Sequence, residues 1–206
     1  MVTTNKNVFE HLSRILHGAF KRLPQDSVAV ITDMDNLSLS LPDDMRPDYT
    51  ALLKYAATKG KLVCAEAFAQ ARPSQGFQRL IALMSRIGYS VNILQPNQMY
   101  SGHRKQCPVD QAISARAIGI CIRYKLSHIV FCSGDGDFVP VVQELRILGI
   151  HVTVVGPIRG CTARSLVEAA DEVVYLTSIG MLRKTNSGEV QVKYGPMLAE
   201  PALAAG

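Results

Sequence analysis

No apolar run in this chain approaches the ~18 residues that span a bilayer, so no transmembrane helix is expected. No CxxC pair joins any of the five cysteines, Cys64, Cys107, Cys121, Cys132 and Cys161, which argues against a zinc site by spacing. The odd count and the lack of a secretory leader point to a reducing, cytoplasmic compartment. Internal repeats are absent, which excludes a solenoid or propeller. Charge is not one-sided: 22 Lys+Arg stand against 17 Asp+Glu, a formal net charge of +5. With 48% hydrophobic and 19% charged residues the chain is globular, and 206 residues suit one domain with short additions. A modest basic excess is compatible with a polyanionic partner.

What is present is a regular alternation of short apolar runs and helical segments. VAVIT (28–32), LVCAEAF (62–68), YSVNIL (89–94), HIVFC (128–132), HVTVVG (151–156) and EVVYL (172–176) read as strands. Helices are expected over about 48–58, from Ser74 or Gln75 through Arg86, from Pro108 to Tyr124, after Phe138 up to Gly149, and over 163–170. Strands alternating with helices imply an α/β fold whose mainly parallel, five- to six-stranded sheet is covered on both faces, a three-layer α/β/α arrangement. This domain is expected over residues 26–180. Residues 1–25 carry an apolar stripe at helical spacing (Val8, Phe9, Leu12, Ile15, Leu16, Phe20), which either docks on the core or pairs with a second copy as a homodimer. Residues 181–206 read as a tail, with a small hairpin and then an Ala/Pro-rich end.

The chemistry concentrates where strands end. HIVFC runs into Ser133-Gly134-Asp135-Gly136-Asp137-Phe138, two carboxylates flanked by glycines that give a turn its conformational freedom. VAVIT runs into Asp33-Met34-Asp35-Asn36. Open α/β sheets bind ligands outside the carboxyl ends of their strands. Acids gathered there repel unless a cation or proton offsets them, which suggests a hard metal ion. The plainer reading makes Asp33 and Asp137 helix caps and Asp135 a turn former. Asp110, after Pro108, is a first-turn residue that a helix dipole alone would favour.

These pieces carry a resemblance. The strand ending D-x-x-N (Asp33 to Asn36), Val109-Asp110, S-G-D-x-D-F (Ser133 to Phe138), P-x-V-x-x-L-R-x-x-G (Pro140 to Gly149) and S-L-x-x-x-A-D (Ser165 to Asp171) occur in the order of a NYN domain. Over about residues 26–177 the chain resembles the LabA-like branch of that family, within the PIN-like nuclease superfamily. The resemblance implies a compact Rossmann-like sheet and an acidic pocket for Mg²⁺ or Mn²⁺ used in ribonuclease chemistry. Carried over, the metal ligands are Asp33, Asp110, Asp135 and Asp137, and Asn36 orients Asp33 or the substrate. A second acid often lies about two helical turns beyond the Asp110 position; Arg116 stands there instead, which puts a second metal in doubt.

Oxygen-only ligands suit Mg²⁺ or Mn²⁺ rather than zinc. The expected substrate is RNA, single-stranded, held by Arg72, Tyr100, Arg104, Lys105, Ser133 and Arg159, with Tyr100 stacking on an unpaired base. Two other readings stay open. One is a non-catalytic RNA-binding or regulatory module that keeps the fold. The other is a haloacid-dehalogenase-like phosphatase, because Asp33-Met34-Asp35 resembles its D-x-D motif; Leu37, where Thr or Val is usual, departs from that pattern.

Overall fold

The computed structural model describes residues 27–95, 108–178 and 180–184. The amphipathic stripe of residues 1–25 and the hairpin expected after Lys184 lie outside the described residues. Elements follow in the order β1 (Ser27–Asp33), α1 (Met34–Leu39), β2 (Met45–Pro47), α2 (Tyr49–Thr58), β3 (Lys61–Gln70), α3 (Gln75–Arg86), β4 (Ser90–Leu94), α4 (Val109–Tyr124), β5 (His128–Cys132), α5 (Val139–Ile147), β6 (His151–Gly156), α6 (Arg164–Ala169), β7 (Glu172–Tyr175) and β8 (Leu182–Lys184). Short 3₁₀ turns at Gly136–Phe138 and Arg159–Cys161 precede α5 and α6.

Six strands form one sheet in the order β4-β3-β1-β5-β6-β7, and every pairing in it is parallel. This is the doubly wound arrangement, whose strand order reverses between β1 and β5. The physical driver is visible in the sequence. All seven residues of β1 are buried, as a central strand covered on both faces requires.

The alternation of side chains then divides the core in two. Ala29, Ile31 and Phe68 pack with Ile113, Ala117 and Ile120 of α4, Val142 and Leu145 of α5, and Leu166 of α6. Val28, Val30, Ala65 and Ala67 pack with Leu37 of α1, Leu52 of α2, and Phe77 and Met84 of α3.

Two features differ from the sequence reading. The expected helices do not include one directly after the first strand, yet Asp33 caps the short helix α1 at once. The folded body also reaches past residue 180: β8 pairs antiparallel with β2, Met45 opposite Lys184 and Pro47 opposite Leu182. Asp48 holds that annex. Its carboxylate accepts from Thr50 N and Ala51 N at 3.0 Å each, capping α2, and pairs with Arg183 Nε at 2.9 Å.

The acidic turn is bolted to the sheet by an aromatic pair. Phe138 is 1% exposed and meets Phe131 of β5 edge-on, with centroids 5.1 Å apart. Truncating a buried Phe removes its transfer free energy and leaves a cavity, so Phe138→Ala should cost about 3–5 kcal/mol. Urea unfolding monitored by circular dichroism checks this; a cost below about 1 kcal/mol would mean that the turn is not anchored through this ring.

Candidate metal centre at the carboxyl edge of the sheet

Asp33 is the last residue of β1 and the N-cap of α1. Its Oδ1 accepts from Asn36 N at 3.1 Å, the ordinary service of a capping carboxylate. Its Oδ2 accepts from Ser133 Oγ at 3.3 Å, a bond across to the end of the neighbouring strand. Asn36 completes the stitch: its Oδ1 accepts from Gly134 N at 2.7 Å. Ser133 Oγ also accepts from Asp135 N at 3.2 Å, and Asp135 Oδ1 from Asp137 N at 2.9 Å. Together these bonds fix the two acid-bearing strand ends without neutralising a carboxylate.

The electrostatics record the crowding. Asp33, only 5% exposed, has its pKa pushed up to about 7, first by burial and then by the charges of Asp35 and Asp110, against the lowering effect of the Asn36 N–H and the Ser133 hydroxyl. Asp110, exposed in the first turn of α4, is also raised, by partial burial first and then by Asp135, Asp137 and Asp35. Asp110 therefore links three separate stretches of chain: its charge raises Asp33, and the charges of Asp35, Asp135 and Asp137 raise it. Like charges brought together in a partly desolvated spot are stabilised by a divalent cation, and an all-carboxylate donor set suits Mg²⁺ or Mn²⁺.

Asp33 is a cap, as the plainer reading holds, but one buried among other acids. Asp135 caps the 3₁₀ turn, so its turn-forming role is also real. Asp137 is no cap of α5, whose N-cap is Phe138 with no side-chain bond and with Pro140 in its first turn.

The glycines act differently from the sequence reading. Neither Gly134 nor Gly136 has a positive φ. A Cβ on Gly134 would lie 2.7 Å from Cys161 O, and one on Gly136 would lie 3.2 Å from Ala163 Cβ. They are small so that the acidic turn can press against the loop before α6.

Several expected site residues take other places. Ser133, expected among the substrate contacts, is wholly buried and spends its hydroxyl on Asp33 and the Asp135 N–H, so it positions acids instead. Arg72 Nη2 is ion-paired to Asp35 Oδ1 at 2.8 Å and its guanidinium lies over the Phe77 ring, so it is no loop charge waiting for phosphate. Arg159 is exposed, with its guanidinium 5.8 Å from the Tyr175 ring centroid. Tyr100, Arg104 and Lys105 lie outside the described residues.

Asp35, paired with Arg72 and accepting from Gln70 N at 2.9 Å, is held as a framework acid. That removes the second acid a D-x-D phosphatase needs. Arg116 grips the buried Glu66 of β3 with Nε at 2.8 Å and Nη2 at 2.6 Å. Sequence reasoning passed over this pair; the signal for it was a glutamate inside an otherwise apolar strand.

A parallel sheet with acids at its switch point defines a doubly wound α/β protein with a candidate cation site at its carboxyl edge. The chain belongs to the NYN domain family, whose profile matches residues 27–177. A protein of unknown function from Vibrio parahaemolyticus has the same fold, with a TM-score of 0.65 and 23% identity over 73% of this chain and 93% of that one. MurG of Acinetobacter baumannii aligns at a TM-score of 0.42 and 13% identity, over 73% of this chain and 41% of its own. No curated protein matches the chain. Among the described residues, no helix is long and apolar enough to cross a membrane.

The raised Asp33 has a consequence for stability. The unfolded chain takes up that proton only near 3.8, whereas the folded chain takes it up below about 7. Between these values the folded state holds more protons, so the metal-free fold loses stability as pH rises from about 4 to 7. Asp33→Asn is uncharged throughout. Its stability relative to wild type should therefore rise across that window, by about 2–4 kcal/mol, in chelator-treated protein followed by thermal unfolding at a series of pH values. A difference that stays flat with pH would remove the buried, charge-crowded carboxyl from the account.

Proposed function

We propose that this chain is a metal-dependent ribonuclease that hydrolyses phosphodiester bonds in single-stranded RNA at the carboxyl edge of its sheet. The observation that carries the reading is the charge crowding at Asp110, which Asp135 and Asp137 raise and which in turn raises the buried Asp33, on a framework whose hydrogen bonds are donated by uncharged groups. Asp33, Asp110, Asp135 and Asp137 would hold a Mg²⁺ or Mn²⁺ ion. Such an ion, when bound, supplies an activated water and neutralises charge on the phosphate.

The chain's own residues set the stage for that chemistry. Ser133 and Asn36 hold Asp33 and the Gly134 peptide in register, so the ends of β1 and β5 are fixed to each other before any ion arrives. A framework fixed in this way lowers the reorganisation needed during reaction. Asp110 and Asp137 are exposed, which leaves the pocket open to a polymer. With a net charge of +5 and an acidic centre, the basic residues lie around the site and on the outer faces, where they draw in a polyanion. Exposed Arg159, after β6 on the same edge, supports a phosphate contact; Tyr100, Arg104 and Lys105 are proposed on sequence grounds to continue it. A dimer through the N-terminal stripe and a cytoplasmic location are part of the same proposal.

The test is cleavage of a mixed panel of single-stranded and duplex RNAs by the full chain, with Mg²⁺, Mn²⁺ or EDTA. Wild-type protein should cleave single strands only with metal. Asp110→Asn should lose at least about a hundredfold in kcat/KM, a ligand loss of roughly 3 kcal/mol or more, whereas Asp35→Asn should retain activity within about tenfold. Undiminished cleavage in EDTA would overturn the mechanism. RNA binding without cleavage in any metal would assign the chain to the non-catalytic reading. An aspartyl-phosphate trapped on Asp33 would restore the phosphatase.

A further inference from the structure

At the opposite, amino edge of the sheet three strands begin with metal-ligating residues. His128 opens β5, His151 opens β6 and Glu172 opens β7. His128 and His151 are register partners, and Glu172 pairs with Thr153, two residues along β6 and so on the same face as His151. One ring nitrogen of each histidine and one oxygen of Glu172 lie within 4.8 Å of one another. The two imidazoles meet edge-on, with centroids 4.7 Å apart. Thr153 sits among them: its hydroxyl is 2.8 Å from His128 Nε2 and donates to Glu172 Oε2 at 2.9 Å.

We infer that His128, His151 and Glu172 form a second, independent site for a borderline divalent cation, Zn²⁺ above all, distinct from the acidic centre. Two imidazoles and a carboxylate are the zinc donor set, whereas the all-oxygen cluster at the other edge is not. The two sites are separated by the length of the strands, roughly 15 Å for five residues. Exposure of His151 leaves room for water as a fourth ligand.

Lys59 adds an argument. Its Nζ lies 2.8 Å from both Glu172 oxygens, and Tyr55 Oη donates to Oε1 at 3.2 Å. A cation already stands beside the carboxylate; it is an ammonium on a long side chain at the C-cap of α2, able to swing into solvent. Partly exposed pairs of this kind are weak, so a divalent ion with two further imidazole ligands competes well. Burial first, then the His151 and Lys59 charges, holds His128 down to about 4, so it meets a metal unprotonated at neutral pH. A metal there would tie β5, β6 and β7 together at their starts.

The experiment uses the full chain stripped with chelator and then kept in saturating Mg²⁺, titrated with Zn²⁺ by calorimetry and thermal shift. An Asp110→Asn/Asp135→Asn background removes the acidic centre as a competing binder. One Zn²⁺ should bind, raise Tm and shift the ring proton resonances of His128 and His151. His151→Ala, at an exposed position, should weaken binding at least about tenfold, and Glu172→Gln similarly. Lys59→Gln should tighten it severalfold, because the competing cation is gone. RNA cleavage by His151→Ala in Mg²⁺ should be unchanged. Absence of a Zn²⁺-dependent shift, or binding that ignores His151→Ala and Glu172→Gln, would overturn the inference, whether or not the protein cleaves RNA.

Discussion

Repulsion among carboxylates at the carboxyl edge is the constraint around which this end of the molecule is organised. β1 and β5 are adjacent parallel strands; β1 ends in Asp33 and β5 runs into the turn that carries Asp135 and Asp137. Left to themselves, the two chain ends would splay. Asn36 prevents this with a single bond of 2.7 Å to the Gly134 N–H, and Ser133 prevents it with a bond to Asp33. Both bonds are donated by uncharged groups. A lysine or arginine in either place would relieve the repulsion and also take the place in the negative field that a metal needs. Acids outside the immediate centre are treated in the opposite way: Asp35 is neutralised by Arg72 and Glu66 by Arg116. The fold thus separates acids it pairs with arginine from acids it crowds together.

That division also explains the glycines. The turn after β5 must approach the loop before α6 closely enough for Ala163 N to donate to Gly134 O at 2.8 Å. At that distance there is no room for a Cβ on Gly134, and little on Gly136. The rest of the turn follows from Phe138, buried beneath it. Hydrophobic anchoring below and close backbone packing behind set where the two aspartates can stand, before any hydrogen bond is counted.

Much of this architecture was legible in the sequence, for reasons that can be stated. The α3 boundaries, Gln75 and Arg86, follow from Ser74 as N-cap and from Gly88, which takes a positive φ of 107° just beyond the end. α4 runs from Val109 to Tyr124 as Pro108 implied, and β5 spans the HIVFC segment. These are local signals of capping, periodicity and turn chemistry. The β2–β8 pair was not legible, because two three-residue strands far apart in sequence carry no periodicity of their own. α1 was hidden because its N-cap doubled as the last residue of a strand. At the site, the existence of an acidic edge could be read directly. Which acids would be paired could not, since Arg72 and Arg116 meet their partners only after β3 is laid beside β1 and α4 is docked.

The two edges of the sheet handle charge by different means. At the carboxyl edge, a carboxyl is kept buried and crowded, with its pKa near neutrality, so the metal-free fold carries a penalty at physiological pH that a cation would remove. At the amino edge, Glu172 is held low in pKa by Lys59, Thr153 and Tyr55 despite its partial burial, and His128 is kept neutral. At that edge an ammonium stands beside the carboxylate in place of an ion, whereas Asp33 has no basic partner among the described residues. The asymmetry follows from the parallel sheet: helices enter the carboxyl edge through their N-termini, whose exposed N–H groups favour anions and so let acids accumulate there. They leave at the amino edge through their C-termini, which favour cations such as Lys59. Chain direction alone therefore biases acids toward one end of the sheet and basic groups toward the other, and the candidate nuclease centre lies at the end where that bias gathers carboxylates.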